Sequence, residues 1–218
     1  MYVGPDIVTD GLVFAVDAGS ERSYAGSGTT AYNLVANNDV SLINGLGWQS
    51  GNGGYFSSDG TDDGMTTPDA TNLDLVDFTL EGWVWWDQHK NYGSFLVKGP
   101  GGSGNLFNYS FFGYATSVSF GFGDGSNYRS ISISTPALNE WHHIVGTYDG
   151  STLKFYLNST LANSSPITAT PNQNNDALQI LQTNYSIDGR IGCAKVYNKA
   201  LTAAEVLQNY NAQKSRFI

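Results

Sequence analysis

The side chains of this sequence that could carry chemistry are few, and each needs a partner at a defined spacing. Glycoside cleavage takes two carboxyl groups, about 5–5.5 Å apart for retention or about 6.5–9.5 Å for inversion. The only glutamates are Glu21, Glu81, Glu140 and Glu205. Glu81 falls on a predicted strand beside Trp83, but Trp83 and Trp85 occupy i+2 and i+4, so it has no acidic partner there. His142 and His143 are neighbours in another predicted strand and face opposite sides, so that strand alone cannot aim both at one metal. A structural role is expected for them, and a solvated loop position for His89. No Ser-His-Asp order stands out, since a triad is defined by geometry. The lone Cys193 excludes an internal disulfide and a Cys-based metal site, and its alternation with Ile191 reads as a small buried hydrophobe.

Oxygen ligands are denser. Ser58-Asp-Gly-Thr-Asp-Asp63 gathers three carboxylates in one turn, and calcium takes several carboxylate and carbonyl oxygens at about 2.3–2.6 Å. Asp59, Asp62 and Asp63 are therefore the candidate metal ligands, with Asp17 and Asp188 as helpers, and calcium is the one cofactor expected. The rival reading is an ordinary Asx-rich turn, whose side chains bond the local backbone.

These residues must be positioned by strands. Apolar runs are short, alternate with period 2, and are separated by Gly, Asn, Asp and Ser clusters. Trp141–Tyr148 and Leu153–Leu157 flank Asp149-Gly150, a dipeptide that tolerates hairpin-turn backbone angles. Further strands are expected at 12–16, 54–57, 78–86, 94–98, 106–112, 118–122, 130–133, 178–181 and 190–197, with a Gly-rich loop over 99–105. One helix is signalled, from about Ala203 to Ala212. Thr202 is its N-cap, Glu205 completes a capping box and Leu201 and Val206 form a hydrophobic staple, with Val206, Leu207 and Tyr210 facing the sandwich. The 218 residues are 40% hydrophobic, 13% aromatic and 13% charged, with a formal net charge of -9. That composition suits one domain over residues 1–218, and the repeated strands with short turns make it all-β, an antiparallel β-sandwich or jelly roll with a short C-terminal helix. It lacks the basic footprint of a nucleic-acid binder. No apolar run of about 18–20 residues is present for membrane insertion, and the N-terminus has no basic segment followed by an apolar one, so no export signal is expected.

Four segments carry a family resemblance. Phe78-Thr-Leu-Glu-Gly-Trp-Val84, the hairpin Trp141–Asn158, Gly189-Arg-Ile191 and Lys195-Val-Tyr-Asn-Lys-Ala-Leu-Thr202 resemble, in order, strands of the laminin-G-like domains among the concanavalin A-like jelly rolls. Ser58–Asp63 is similar to that family's acidic segment, although Gly192 and Cys193 stand where its closing strand usually carries two acids. The glucanase pattern E-x-D-x-x-E of the wider superfamily is missing, so a non-enzymatic protein is expected. Residues 17–30 and 204–217 resemble a subgroup found in tailed-bacteriophage structural proteins. That resemblance implies a virion surface location after synthesis in the host cytoplasm, with other capsid or tail subunits as partners and, for an appendage, a homo-oligomer.

Sugar binding by such folds combines aromatic faces that stack on pyranose rings with amide and carboxylate groups that bond hydroxyls. Trp48, Trp85, Trp86, Tyr92 and Tyr128 lie at or near predicted loops and are the candidate glycan-binding residues, though large aromatics also fill sandwich cores. Two functions are expected to compete: adhesion to glycans or host-surface polysaccharide, and a purely structural role as a capsid decoration (cement) protein or tail appendage. Four N-x-Ser/Thr matches, at Asn108, Asn158, Asn163 and Asn184, are what an Asn-rich chain produces by chance.

Overall fold

The computed structural model describes residues 5–182 and 185–218, so the Asn184 match lies outside the described residues. In chain order the strands are β1 (Leu12–Asp17), β2 (Thr30–Ala31), β3 (Val40–Ile43), β4 (Gly47–Gln49), β5 (Tyr55–Asp59), β6 (Gly64–Thr67), β7 (Phe78–Gln88) and β8 (Gly93–Lys98). They continue with β9 (Tyr109–Gly113), β10 (Ser117–Gly123), β11 (Tyr128–Ser134), β12 (Trp141–Tyr148), β13 (Thr152–Leu157), β14 (Thr160–Pro166), β15 (Leu178–Ile180) and β16 (Asp188–Tyr197). The helix α1 (Ala203–Phe217) follows. One antiparallel sheet runs β14-β13-β12-β7-β16-β5-β4, with β1 also paired to β16, and the other runs β11-β10-β9-β8-β15-β6-β3-β2. The two form a β-sandwich.

The core between the sheets follows from strand alternation. In β7, Phe78, Leu80, Val84 and Trp86 point inward, while Glu81, Trp83 and Trp85 point out. The facing sheet contributes Phe111, Phe120 and Phe122, which pack edge-on or tilted against Phe78, Tyr148 and Phe155, and Phe95, which meets Phe111 at 6.0 Å. Room for these rings comes from glycines in the two central strands. A Cβ at Gly82 would lie 2.1 Å from the Phe95 ring, and one at Gly146 would lie 2.3 Å from that of Phe120. Close packing of this kind leaves no slack for an added methyl group.

The outer face of the first sheet is covered. Residue Thr202 caps α1 through its side chain, and Glu205 returns a bond to the Thr202 backbone, as the capping box requires. Val206 and Leu201 cluster with Val8, Val145 and Tyr197, so the staple forms too. The helix runs five residues further than expected, because Phe217 at its last turn stacks on Trp83 at 4.6 Å. Leu207, expected to face inward, is instead 46% exposed, and the buried position is taken by Asn209. Expected strand 106–112 begins with a 3-10 turn at Gly104–Leu106, and strands β2, β3, β4, β6 and β14 were not anticipated. A β-bulge between Ile191 and Cys193 puts Ile191 in the core and Cys193 against α1, breaking the alternation expected of that pair. The buried Asn108 amide bonds Leu75 on both sides and is inaccessible as a glycosylation acceptor.

Candidate functional site

Among the described residues no helix covers the outer face of the second sheet. Phe111 of β9 faces the core, so its neighbour Phe112 faces out, packing with Val97 and Phe107 beneath Tyr114 and Tyr128. Around this floor opens a cleft of about 590 Å³, within the ordinary size of ligand sites. Its walls are the Gly-rich loop after β8 (Gly102, Gly104, Asn105), the loop before β11 (Ser126, Asn127) and the residues Gln182 and Tyr185.

Local sequence explains why these loops stand where they do. Asp124 accepts backbone N–H bonds from Asn127 and Ser126 at 2.6 and 2.9 Å and pairs with Arg129 at 2.6 Å. Those contacts hold its carboxyl down at about 2 and fix the loop. The two loops are then tied together, Gly125 N donating to Asn105 O at 2.9 Å and Asn105 Nδ2 to Gly125 O at 3.2 Å. Gly104 presents bare backbone to the Tyr128 ring, where a Cβ would lie 3.3 Å from Cγ. Tyr128 is anchored by a 2.9 Å bond between its hydroxyl and Ser110 Oγ.

Tyr92 forms the rim. It is 56% exposed and has a left-handed φ of 65°, unusual for a bulky residue. Tyr114 and Tyr185 meet its ring edge-on at 5.6 and 6.5 Å. Burial pushes the Tyr114 hydroxyl above its ordinary value. Gln182 is only 4% exposed yet lines the cleft, and no described residue bonds its side-chain amide, nor that of Asn127. The cleft thus joins apolar ring faces to amide groups that no described residue bonds.

Of the expected glycan-binding residues, the structure brings Tyr92 and Tyr128 together here and places the three tryptophans elsewhere. Trp86 is buried in the core at 2% exposure, because alternation along β7 turns it inward. Trp48 is half-buried and donates to Ala18 O at 2.9 Å. Trp85 lies on the opposite face of the sandwich, under the Arg190 guanidinium at 4.5 Å and bonded to Asp87. Tyr114, Tyr185, Asn127 and Gln182 were not singled out, as they come from loops whose meeting no local pattern announces.

The acidic residues do not assemble a metal site. Asp63 accepts from Asp59 N at 3.1 Å, Asp59 accepts from Thr61 N, and the Lys90 amine bonds Gly60 O at 3.1 Å. Asp188 pairs with Lys90 at 3.8 Å, and Asp17 pairs with Arg216 and bonds Gly19 N. A cation therefore already stands at the turn, and Asp62 and Asp59 remain exposed. Among the described residues no three His, Cys, Asp or Glu side chains converge on a metal position. The residues do not fit calcium.

Glu81 is also unavailable for catalysis. It is fully buried beneath α1, with Lys195 Nζ at 2.7 Å, His143 Nε2 at 3.1 Å and Asn209 Nδ2 at 2.6 Å. Burial raises its carboxyl pKa, but Lys195 and His143 outweigh that and leave it at about 2. Burial lowers that of His143 against the pull of Glu81. His142 bonds Ala137 O, and both histidines are structural as expected; His89 is half-buried and bonds Pro136 O, so it is not a free loop side chain.

Residues 59–207 match the laminin-G family model of the concanavalin A-like lectin/glucanases superfamily. The chain belongs to that superfamily. Solved structures agree on the jelly roll. The binding domain of Paraclostridial mosquitocidal protein 1 superposes with a TM-score of 0.71 at 17% identity, over 93% of this chain and 52% of that one. Botulinum neurotoxin type C, in a structure tying its uptake by cells to two ganglioside molecules, gives 0.73 at 14%, over 93% and 51%. Trypanosoma rangeli sialidase gives 0.68 at 14%, over 99% and 36%. This lectin-like chain spans about half the length of the toxin chains. No curated protein matches it.

Proposed function

We propose that this chain is a non-catalytic glycan-binding module, and that it binds a polysaccharide in the cleft bounded by Tyr92, Tyr114, Tyr128 and Tyr185. The observation that carries this reading is the pairing of tyrosine rings with the amides of Asn127 and Gln182, which no described residue bonds, over an apolar floor. Sugars offer alternating apolar ring faces and hydroxyls, and such a surface complements both. The ganglioside dependence of the type C neurotoxin supports a sugar as ligand on this architecture. The resemblance of residues 17–30 and 204–217 to bacteriophage structural proteins supports display on a virion, where many weak sites act together through avidity.

The test is retention of the bead-displayed protein on a glycan array and on host cell envelopes. Saturable binding that weakens about tenfold in Tyr92→Ala, at unchanged fold, is the expected result. No binding by the folded protein at high valency would remove the adhesion reading and leave a particle-building role.

A further inference from the structure

Among the described residues the cleft lining contains no acidic or basic side chain. Tyr92, Tyr114, Tyr128, Tyr185, Asn127 and Gln182 meet any occupant with rings, hydroxyls and amides alone. Asp124 and Arg129, which hold the loop that carries Ser126 and Asn127, neutralise one another at 2.6 Å. Lys90, close in sequence to Tyr92, is committed to Gly60 O and Asp188. We infer that the site selects uncharged polysaccharide and rejects acidic sugars, a specificity that rests on the glycan-binding reading above.

Two physical effects give that discrimination. A carboxylate or sulfate entering the cleft would leave water without meeting a cation, and burying an unpaired charge is strongly disfavoured. An amide supplies both donor and acceptor, which suits a hydroxyl, whereas an anion uses only the donor half. Around this neutral floor the chain carries a formal charge of -9, so approach of a polyanion is opposed at long range as well. The long-range part is screened above physiological salt, where the Debye length is about 8 Å, while exclusion at the cleft itself persists. Discrimination against acidic glycans is accordingly expected to shrink with added salt but not to vanish. Burial pushes the hydroxyls of Tyr114 and Tyr128 above the ordinary tyrosine value, which keeps these two rings neutral donors.

The experiment uses the full chain displayed on beads, with acidic polysaccharides, the same polymers after carboxyl reduction, and uncharged glucans, galactans and mannans as probes. Retention on at least one uncharged polymer, with the acidic form of a bound polymer held at least tenfold more weakly, is expected. Asn127→Lys, which puts a cation at the exposed mouth, should raise retention of the acidic form several-fold; no rise would count against the inference. Equal or tighter binding of the acidic form, lost in Tyr92→Ala, would overturn the charge selectivity and leave the site intact. Failure to bind either form would instead overturn the glycan reading and the selectivity with it.

Discussion

Replacing Lys195 with methionine removes the one cation held against the Glu81 carboxylate and leaves the space filled. Glu81 is wholly enclosed by β7, β12, β16 and α1, so no water replaces the lost partner. Its carboxyl, held at about 2 against an ordinary 4.5, favours the charged state by about 3 kcal/mol. Breaking a buried pair from one side costs about 3–5 kcal/mol. For a chain of this length each kcal/mol moves the midpoint by about 2–4 °C, so Lys195→Met should lower Tm by about 6–20 °C. The folded-state pKa lies below the unfolded one, so the stability from Glu81 is complete above about pH 4.5 and drains away as pH falls toward 2. Calorimetry over pH 2–7 reads both effects. Adding Glu81→Gln to Lys195→Met should restore much of the lost Tm and flatten that acid-dependent share. A single variant within 2 °C of the parent would refute the pairing as a source of stability.

Other consequences are simpler to read. Thr202→Ala removes the α1 cap and should cost about 1 kcal/mol, seen as a few degrees in Tm. Gly146→Ala drives a methyl group into the Phe120 ring and should cost about 1–3 kcal/mol, measured by urea unfolding. Chelator should leave Tm within about 1 °C, since the Lys90 amine already stands against the acidic turn.

Strand periodicity made the two central strands and their hairpin readable, because β7 and β12 alternate without interruption over eight or more residues. Strands β2, β3 and β4 hold two to four residues each, too few to show a period, and their place comes from pairing with longer neighbours. The capping box fixed where α1 starts. Its buried face was misjudged at Leu207 because Asn209, a polar residue, turns inward to bond Glu81 and Val8 N. For the site, Tyr92 and Tyr128 were legible as loop aromatics, whereas the inward turn of Trp86 follows from the same alternation that sends Trp85 out. Tyr114, Gln182 and Tyr185 reach the cleft only through the packing of loops distant in sequence.

Occluding the cleft without replacing its tyrosines is the sharpest way to locate the sugar. Gly104→Leu adds a side chain over the Tyr128 ring at a backbone position whose φ is not left-handed, and Trp85→Ala opens the opposite face of the sandwich. Isotherms for both variants on the best-bound uncharged polysaccharide, with Tm as the check on folding, should show at least a tenfold loss, about 1.4 kcal/mol, for Gly104→Leu and none for Trp85→Ala. Full binding by a folded Gly104→Leu protein, or loss through Trp85→Ala, would place the sugar outside this cleft.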